Sequence, residues 1–185
     1  MQKSFVWKGL LYDTEEHCLV HYHGSEVIIR SEIEGWAGKL PVNTEYFLKL
    51  NANGEVLEVD IRYTLGQEEY HYAYTRNGAI WSDKTGADCA DFGEAVFVDI
   101  SLTPFTNTLP IRSLNFTEGE PQEISVVYFD VLENTISHKV QRYIKKGGNS
   151  WLYENTDDDF SALITTDDDG FVTDYPNIFK MLKTN

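Results

Sequence analysis

The chain has 185 residues, with 15 Lys and Arg against 30 Asp and Glu, a formal net charge of −15 at pH 7. That balance excludes two classes of partner: a nucleic-acid phosphate backbone, which is held by Lys and Arg, and an anionic membrane held by a polybasic patch. The length fits a single domain over residues 1–185, large enough to bury roughly 70% of its unfolded surface without a metal or disulfide. The N-terminus, MQKSFVWKG, has no long apolar run and is soon followed by Glu15 and Glu16. It does not read as a signal peptide, and no later stretch is long enough to span a bilayer, so a cytoplasmic location without stable membrane insertion is expected.

Most of the chain reads as β-strand, in short runs of aromatic and β-branched residues separated by Gly, Asn and Asp turns. Residues 25–33 alternate through Val27 and Ile29. Residues 46–50 and 56–65 flank Asn51-Ala-Asn-Gly54, a strong hairpin turn. Along the second of these, Val56, Glu58, Asp60 and Arg62 fall on one face and Leu57, Val59, Ile61 and Tyr63 on the other. That is the pattern of an antiparallel strand with one buried face. Residues 69–74 then set Tyr70, Tyr72 and Tyr74 on a single face, and Arg76-Asn-Gly78 turns the chain into Ala79-Ile-Trp81. Glu94 to Asp99 has the apolar centre of a buried strand.

Thr103 to Arg112 (TPFTNTLPIR) stands apart. Two prolines fix the backbone at two points, and Pro104 behind Thr103 reads as a first helical residue after an N-cap. In a helix, Phe105, Leu109 and Arg112 share a face; were residues 109–116 extended, Arg112 would instead lie with Leu114 and Phe116. Both readings send the guanidinium toward apolar company. Asp99 ends the preceding buried run, so a direct Asp99–Arg112 pair is the simplest way to satisfy both charges. Beyond it, residues 124–131 and 138–144 read as a strand pair, and residues 151–153, 160–164 and 171–172 as short strands. Residues 103–114 and, more weakly, the tail Tyr175–Leu182 read as helices.

Few residues suggest reaction chemistry. The acidic runs 154–159 and 166–170 lack calcium-loop spacing and read as turns, where Asp bonds its own backbone. His21 and His23 share a strand face but have no third ligand at metal spacing. Cys18 and Cys89 are distant and read as small hydrophobes. No nucleophile elbow, phosphate loop or dinucleotide fingerprint is present. Neither a metal nor another cofactor is called for.

The segment Val98–Arg112, with Gly78–Trp81 upstream, Gln141-Arg-Tyr143 downstream and the closing Asp169–Pro176, resembles the pattern of a bacterial glycolipid-binding family otherwise known as a domain of unknown function. The likeness spans most of the chain, and departs in carrying Ser113 where the pattern has a second arginine. It implies a mainly β fold, an open half-barrel or clam of strongly curved antiparallel sheet around one or two helices. The expected function is non-catalytic binding of a lipid or glycolipid in a largely apolar pocket bounded by the sheet and residues 103–114. Thr106, Asn107, Thr108 and Arg112 would fix the headgroup, with Asp99, Tyr63, Trp81, Tyr143 and Tyr175 as further ligand-binding residues. The rivals are an enzyme using a carboxylate such as Asp99 on a sugar or lipid headgroup, and a domain that binds a protein partner through an aromatic strand face.

Overall fold

The computed structural model describes residues 1–157 and 159–184. Fourteen strands form one sheet, with the chain's two ends meeting in its middle. Strands β1 (Gln2–Gly9), β2 (Asp13–His23), β3 (Glu26–Ala37), β4 (Leu40–Leu50), β5 (Val56–Leu65), β6 (Glu68–Asn77) and β7 (Ile80–Asp83) meander outward in order. Strands β9 (Pro121–Asp130), β10 (Thr135–Gly147), β11 (Ser150–Asn155), β12 (Ser161–Thr166), β13 (Val172–Tyr175) and β14 (Phe179–Thr184) meander back, and β14 pairs with β1. The outermost strand, β8 (Phe97–Ile100), lies parallel to β9. A parallel pair needs a crossover, and the crossover here is α1 (Phe105–Ser113), laid inside the curved sheet.

Alternation decides the faces. Along β2, Thr14, Glu16, Cys18 and Val20 are buried, while Asp13, Glu15 and His17 are exposed. Along β5, Val59, Ile61 and Tyr63 are buried as their period requires, and Val56 joins them because the register with β4 slips beside Leu50. The segment between β7 and β8 ties the two sheet edges together. Trp81 Nε1 donates to Ala95 O at 2.7 Å, and Val56 N donates to Val96 O at 2.8 Å.

Helix α1 is buried along nearly its whole length, from Phe105 to Ile111. Thr103 Oγ1 accepts from Phe105 N at 2.9 Å, satisfying one of the helix's orphan donors from the position before Pro104, which is the N-cap in place of the expected Thr103. The tail is not a helix. Asn177, at φ 64°, turns the chain after Pro176, and Phe179–Thr184 runs as a strand between β13 and β1. The hydrogen-bonding edges of those strands, together with the buried ring of Phe179, outweigh the tail's local helical spacing.

Because the strands alternate in direction, one end of the half-barrel carries the β1–β2, β3–β4, β5–β6, β9–β10, β11–β12 and β13–β14 turns and the entry to α1. We call this end the mouth. Gly35, near the mouth on β3, has φ +149°, and a Cβ there would lie 2.1 Å from the backbone oxygen of Asp13. Gly35→Ala is expected to cost about 2 kcal/mol or more. That corresponds to a fall of roughly 4–8 °C in thermal melting for a chain of this size. An unchanged melting curve would mean that the β2–β3 pairing is looser than described.

Candidate functional site

Two threonines of the TPFTNTLPIR segment, Thr103 and Thr106, bond two buried carboxyls. Glu16 on β2 is 2% exposed and accepts three hydrogen bonds, from Ser31 Oγ (2.7 Å), Tyr46 OH (2.6 Å) and Thr103 Oγ1 (2.6 Å). Burial pushes this carboxyl up to about 7 despite those donors. Asp99 at the end of β8 accepts from Thr106 Oγ1 and from Gln141 Nε2, each at 2.6 Å. Its pKa is likewise raised by burial, against the bonds from Thr106 and Gln141. Behind it the network continues: Asn107 Nδ2 donates to Tyr143 OH at 2.8 Å, and Tyr143 OH donates to Gln141 Oε1 at 3.4 Å.

In front of Asp99 opens a cavity of about 750 Å³, reaching the mouth. Thr135, Ser137, Lys139 and Gln141 alternate along β10 onto it, joined by Tyr128 and Asp130 of β9 and by Tyr153 and Asn155 of β11. Elsewhere the inner face of the sheet is mainly apolar, interrupted by polar groups such as Glu16 and Ser31, but here it carries hydroxyls, amides, tyrosine rings and the charged Asp130 and Lys139. Thr103 and Asn107 close the cavity from the helix side, and Leu11, Phe160 and Ile178 stand toward the mouth. Burial pushes up the phenols of Tyr128, Tyr153 and Tyr175, and the nearby Asp99 carboxylate adds to each shift. These phenols are therefore neutral hydroxyls able to donate and accept.

The residues singled out from sequence divide into two groups. Asp99, Asn107 and Tyr175 line the cavity, while Thr106 and Tyr143 brace its floor. The others lie elsewhere. Trp81 is 1% exposed, and its indole N–H is spent on Ala95. Tyr63 OH donates to Asn134 Oδ1 at 2.6 Å, a bond it shares with Tyr72. Thr108 and Arg112 border a separate hollow of about 560 Å³ at the far end of α1, floored by Val20, Leu50, Phe105 and Leu109.

The expected Asp99–Arg112 pair does not form. Arg112 is exposed, donates to Tyr22 OH at 2.8 Å and stacks 4.3 Å above the Phe171 ring. Asp99 lies at the entry to α1 and Arg112 at its exit, so the helix itself holds them apart. The carboxyl is satisfied instead by neutral donors, and the guanidinium by a ring face and solvent.

Glu16 was not among the residues expected at the site. The signal was present in the alternation Thr14, Glu16, Cys18, Val20, which places it inside. The acidic run at 166–170 does serve its turn, since Asp167 Oδ1 accepts from Asp169 N and Phe171 N. Part of the 154–159 run, Asp158, lies outside the described residues; Asp157 pairs with Lys139. Among the described residues, no three His, Cys, Asp or Glu side chains converge where they could hold a metal ion. No described helix is long and apolar enough to cross a membrane.

Comparison with known proteins adds a family and a fold. The family model described as "Putative glycolipid-binding" matches residues 4–181. A crystal structure of a DUF1089 family protein from Pseudomonas aeruginosa is 25% identical, covering 90% of this chain and 92% of that one with a TM-score of 0.81. A beta-barrel-like protein of a domain of unknown function, DUF1849, from Brucella abortus matches at 6% identity and a TM-score of 0.51. It covers 100% of this chain and 96% of its own, and shows the fold alone. No curated protein matches the chain.

The carboxyls give a pH signature. Between pH 4.5 and 7 the folded chain keeps a proton on Glu16 that the unfolded chain has released. The stability linked to that proton is complete below the unfolded value and is lost as pH rises through the folded one. Its size is about 3 kcal/mol. Glu16→Gln, which keeps the shape without the charge, is expected to gain about that much on the wild type across this interval when urea unfolding is followed at both ends. Parallel pH dependence in the two proteins would show that Glu16 is ionised at little cost in the folded chain.

Proposed function

The chain belongs to the family described as "Putative glycolipid-binding", and from that premise we propose that it binds the uncharged, hydroxyl-rich headgroup of an amphipathic lipid in the cavity before Asp99. The observation that carries this reading is the polar inner face of β9, β10 and β11. A sheet face turned toward a core is ordinarily apolar, whereas the polar side chains here, Thr135, Ser137 and Tyr128 among them, stay accessible to a ligand. Here they line open space of about 750 Å³, ample for one or two sugar rings. Tyrosines supply flat apolar walls with polar tips, suited to a ring that has both C–H and O–H faces. Asp99 supplies an acceptor whose pKa is raised by burial, and a site of that kind suits a neutral ligand better than an anionic one.

This reading reverses one expectation. A largely apolar pocket would take the acyl chain inside and leave the headgroup at the opening. With Asp99 and Gln141 buried on the cavity wall and Leu11, Phe160 and Ile178 at its rim, the headgroup goes against the wall and the chains trail outward. Both Asp99 oxygens are engaged by Thr106 and Gln141, which supports a binding role over proton transfer.

Octyl glucoside serves as the probe, with octanol as the sugar-free control. Titration calorimetry is expected to show binding of the glycoside well above that of the alcohol. Ser137→Trp, which fills the cavity from β10, is expected to weaken it about tenfold or more, since the ring occupies the ligand's volume. Equal affinity for octanol, or a Ser137→Trp protein that binds like the wild type, would overturn the assignment.

A further inference from the structure

Large apolar side chains are exposed at nine described positions, and five of these lie on or beside mouth turns: Leu10 (53%), Leu11 (61%), Trp36 (51%), Leu40 (50%) and Phe160 (41%). The sheet order places them along one rim. Trp36 pairs in register with Pro41 and with Asp13, beside the β1–β2 turn that carries Leu10 and Leu11. Leu10 N donates to Ile178 O at 2.7 Å, joining that turn to the β13–β14 turn. Phe160, on the β11–β12 turn, meets Tyr175 with ring centroids 6.4 Å apart. Leu11 and Phe160 also line the cavity entrance, so the rim and the proposed ligand site are continuous.

Exposed large hydrophobics are ordinarily scattered, and a concentration of them marks a contact surface. We propose that this rim docks the protein, mouth down, on the surface of a zwitterionic lipid bilayer, so that a headgroup is taken up while its acyl chains stay in the membrane. The inference rests on the head-inward reading, in which the ligand is itself a bilayer component. One feature selects lipid over a protein partner, and a second selects the kind of lipid surface. The apolar groups sit in ones and twos at three separate hairpin ends, a shape that penetrates a fluid interface and offers no continuous face for packing. The charge beside them is acidic: Lys8 pairs with Asp13 and Lys39 stands at the β3–β4 tip, but Asp157 and Asp159 precede Phe160 on the β11–β12 turn, and Asp130 and Glu133 lie beside the β9–β10 turn. The net charge of −15 opposes an anionic surface and leaves a zwitterionic one open.

The tryptophans make the test specific. Trp7, Trp81 and Trp151 are buried at 0%, 1% and 6% exposure, so a change in the emission of water-exposed indole reports Trp36. With phosphatidylcholine vesicles free of sugar-bearing lipid, emission is expected to shift to shorter wavelength and to be quenched by brominated acyl chains. The double variant Leu10→Ser, Leu11→Ser should lower partitioning about tenfold or more. Leu163→Ser, a 50% exposed residue on β12 away from the mouth turns, should leave it unchanged. Vesicles rich in phosphatidylglycerol should bind more weakly at low salt. No emission shift, an equal loss in the Leu163→Ser protein, or a preference for anionic vesicles would each overturn the proposal. Vesicles without sugar test docking alone, so failure here is separable from failure of soluble octyl glucoside to bind.

Discussion

Two buried carboxyls fix the position of α1, and the cavity depends on where α1 sits. Glu16, on the wall built by β1 to β7, holds the helix lead-in through Thr103. Asp99 and Gln141, on the wall built by β8 to β14, hold the first turn through Thr106, and Tyr143 holds Asn107. The helix is thus bonded to both halves of the curved sheet. Each of these polar groups is out of water, so releasing any of them would leave a donor or acceptor unsatisfied at roughly 1–3 kcal/mol. Loss of the clamp would let the walls close on the space in front of Asp99, and a half-barrel that collapsed there could hold no ligand.

The same constraint accounts for the sequence of the TPFTNTLPIR segment. A helix buried on all sides gains nothing from an amphipathic stripe, so its threonines and asparagine are set by what they must bond. Phe105 and Leu109 fill the space between the walls, while Thr106 and Asn107 reach the Asp99 side. Arg112 lies at the exit, where a charged group at a helix C-terminus is favourable and where the Phe171 ring provides a stacking face.

Much of this was legible in the sequence, and the exceptions share a physical cause. Strands with strict alternation, such as residues 56–65, are specified locally by which face must be buried. The helix at 103–114 is specified by its N-cap and proline. The tail was misread because Tyr175–Leu182 carries a helical spacing, whereas its conformation is set by β1 and β13, both remote or only weakly marked in sequence. The Asp99–Arg112 pair failed for a related reason. Asp99 is buried and needs partners, as expected, but Arg112 is exposed at the exit of α1, and nearness in sequence does not give nearness across a helix. Tyr63 donates to Asn134 and Trp81 to Ala95, partners that no local sequence pattern marks. Glu16 was visible only through the β2 alternation, and its partners Ser31, Tyr46 and Thr103 are brought together by the fold alone.

The most direct test of the head-inward cavity is the structure of the protein crystallised with octyl glucoside. The expected result is a sugar ring within hydrogen-bond distance of Asp99 and Gln141, between the Tyr128 and Tyr153 rings, with the alkyl chain leading past Leu11 and Phe160. A sugar at the mouth with its chain inside, or an amphiphile bound only in the hollow beside Arg112, would contradict it.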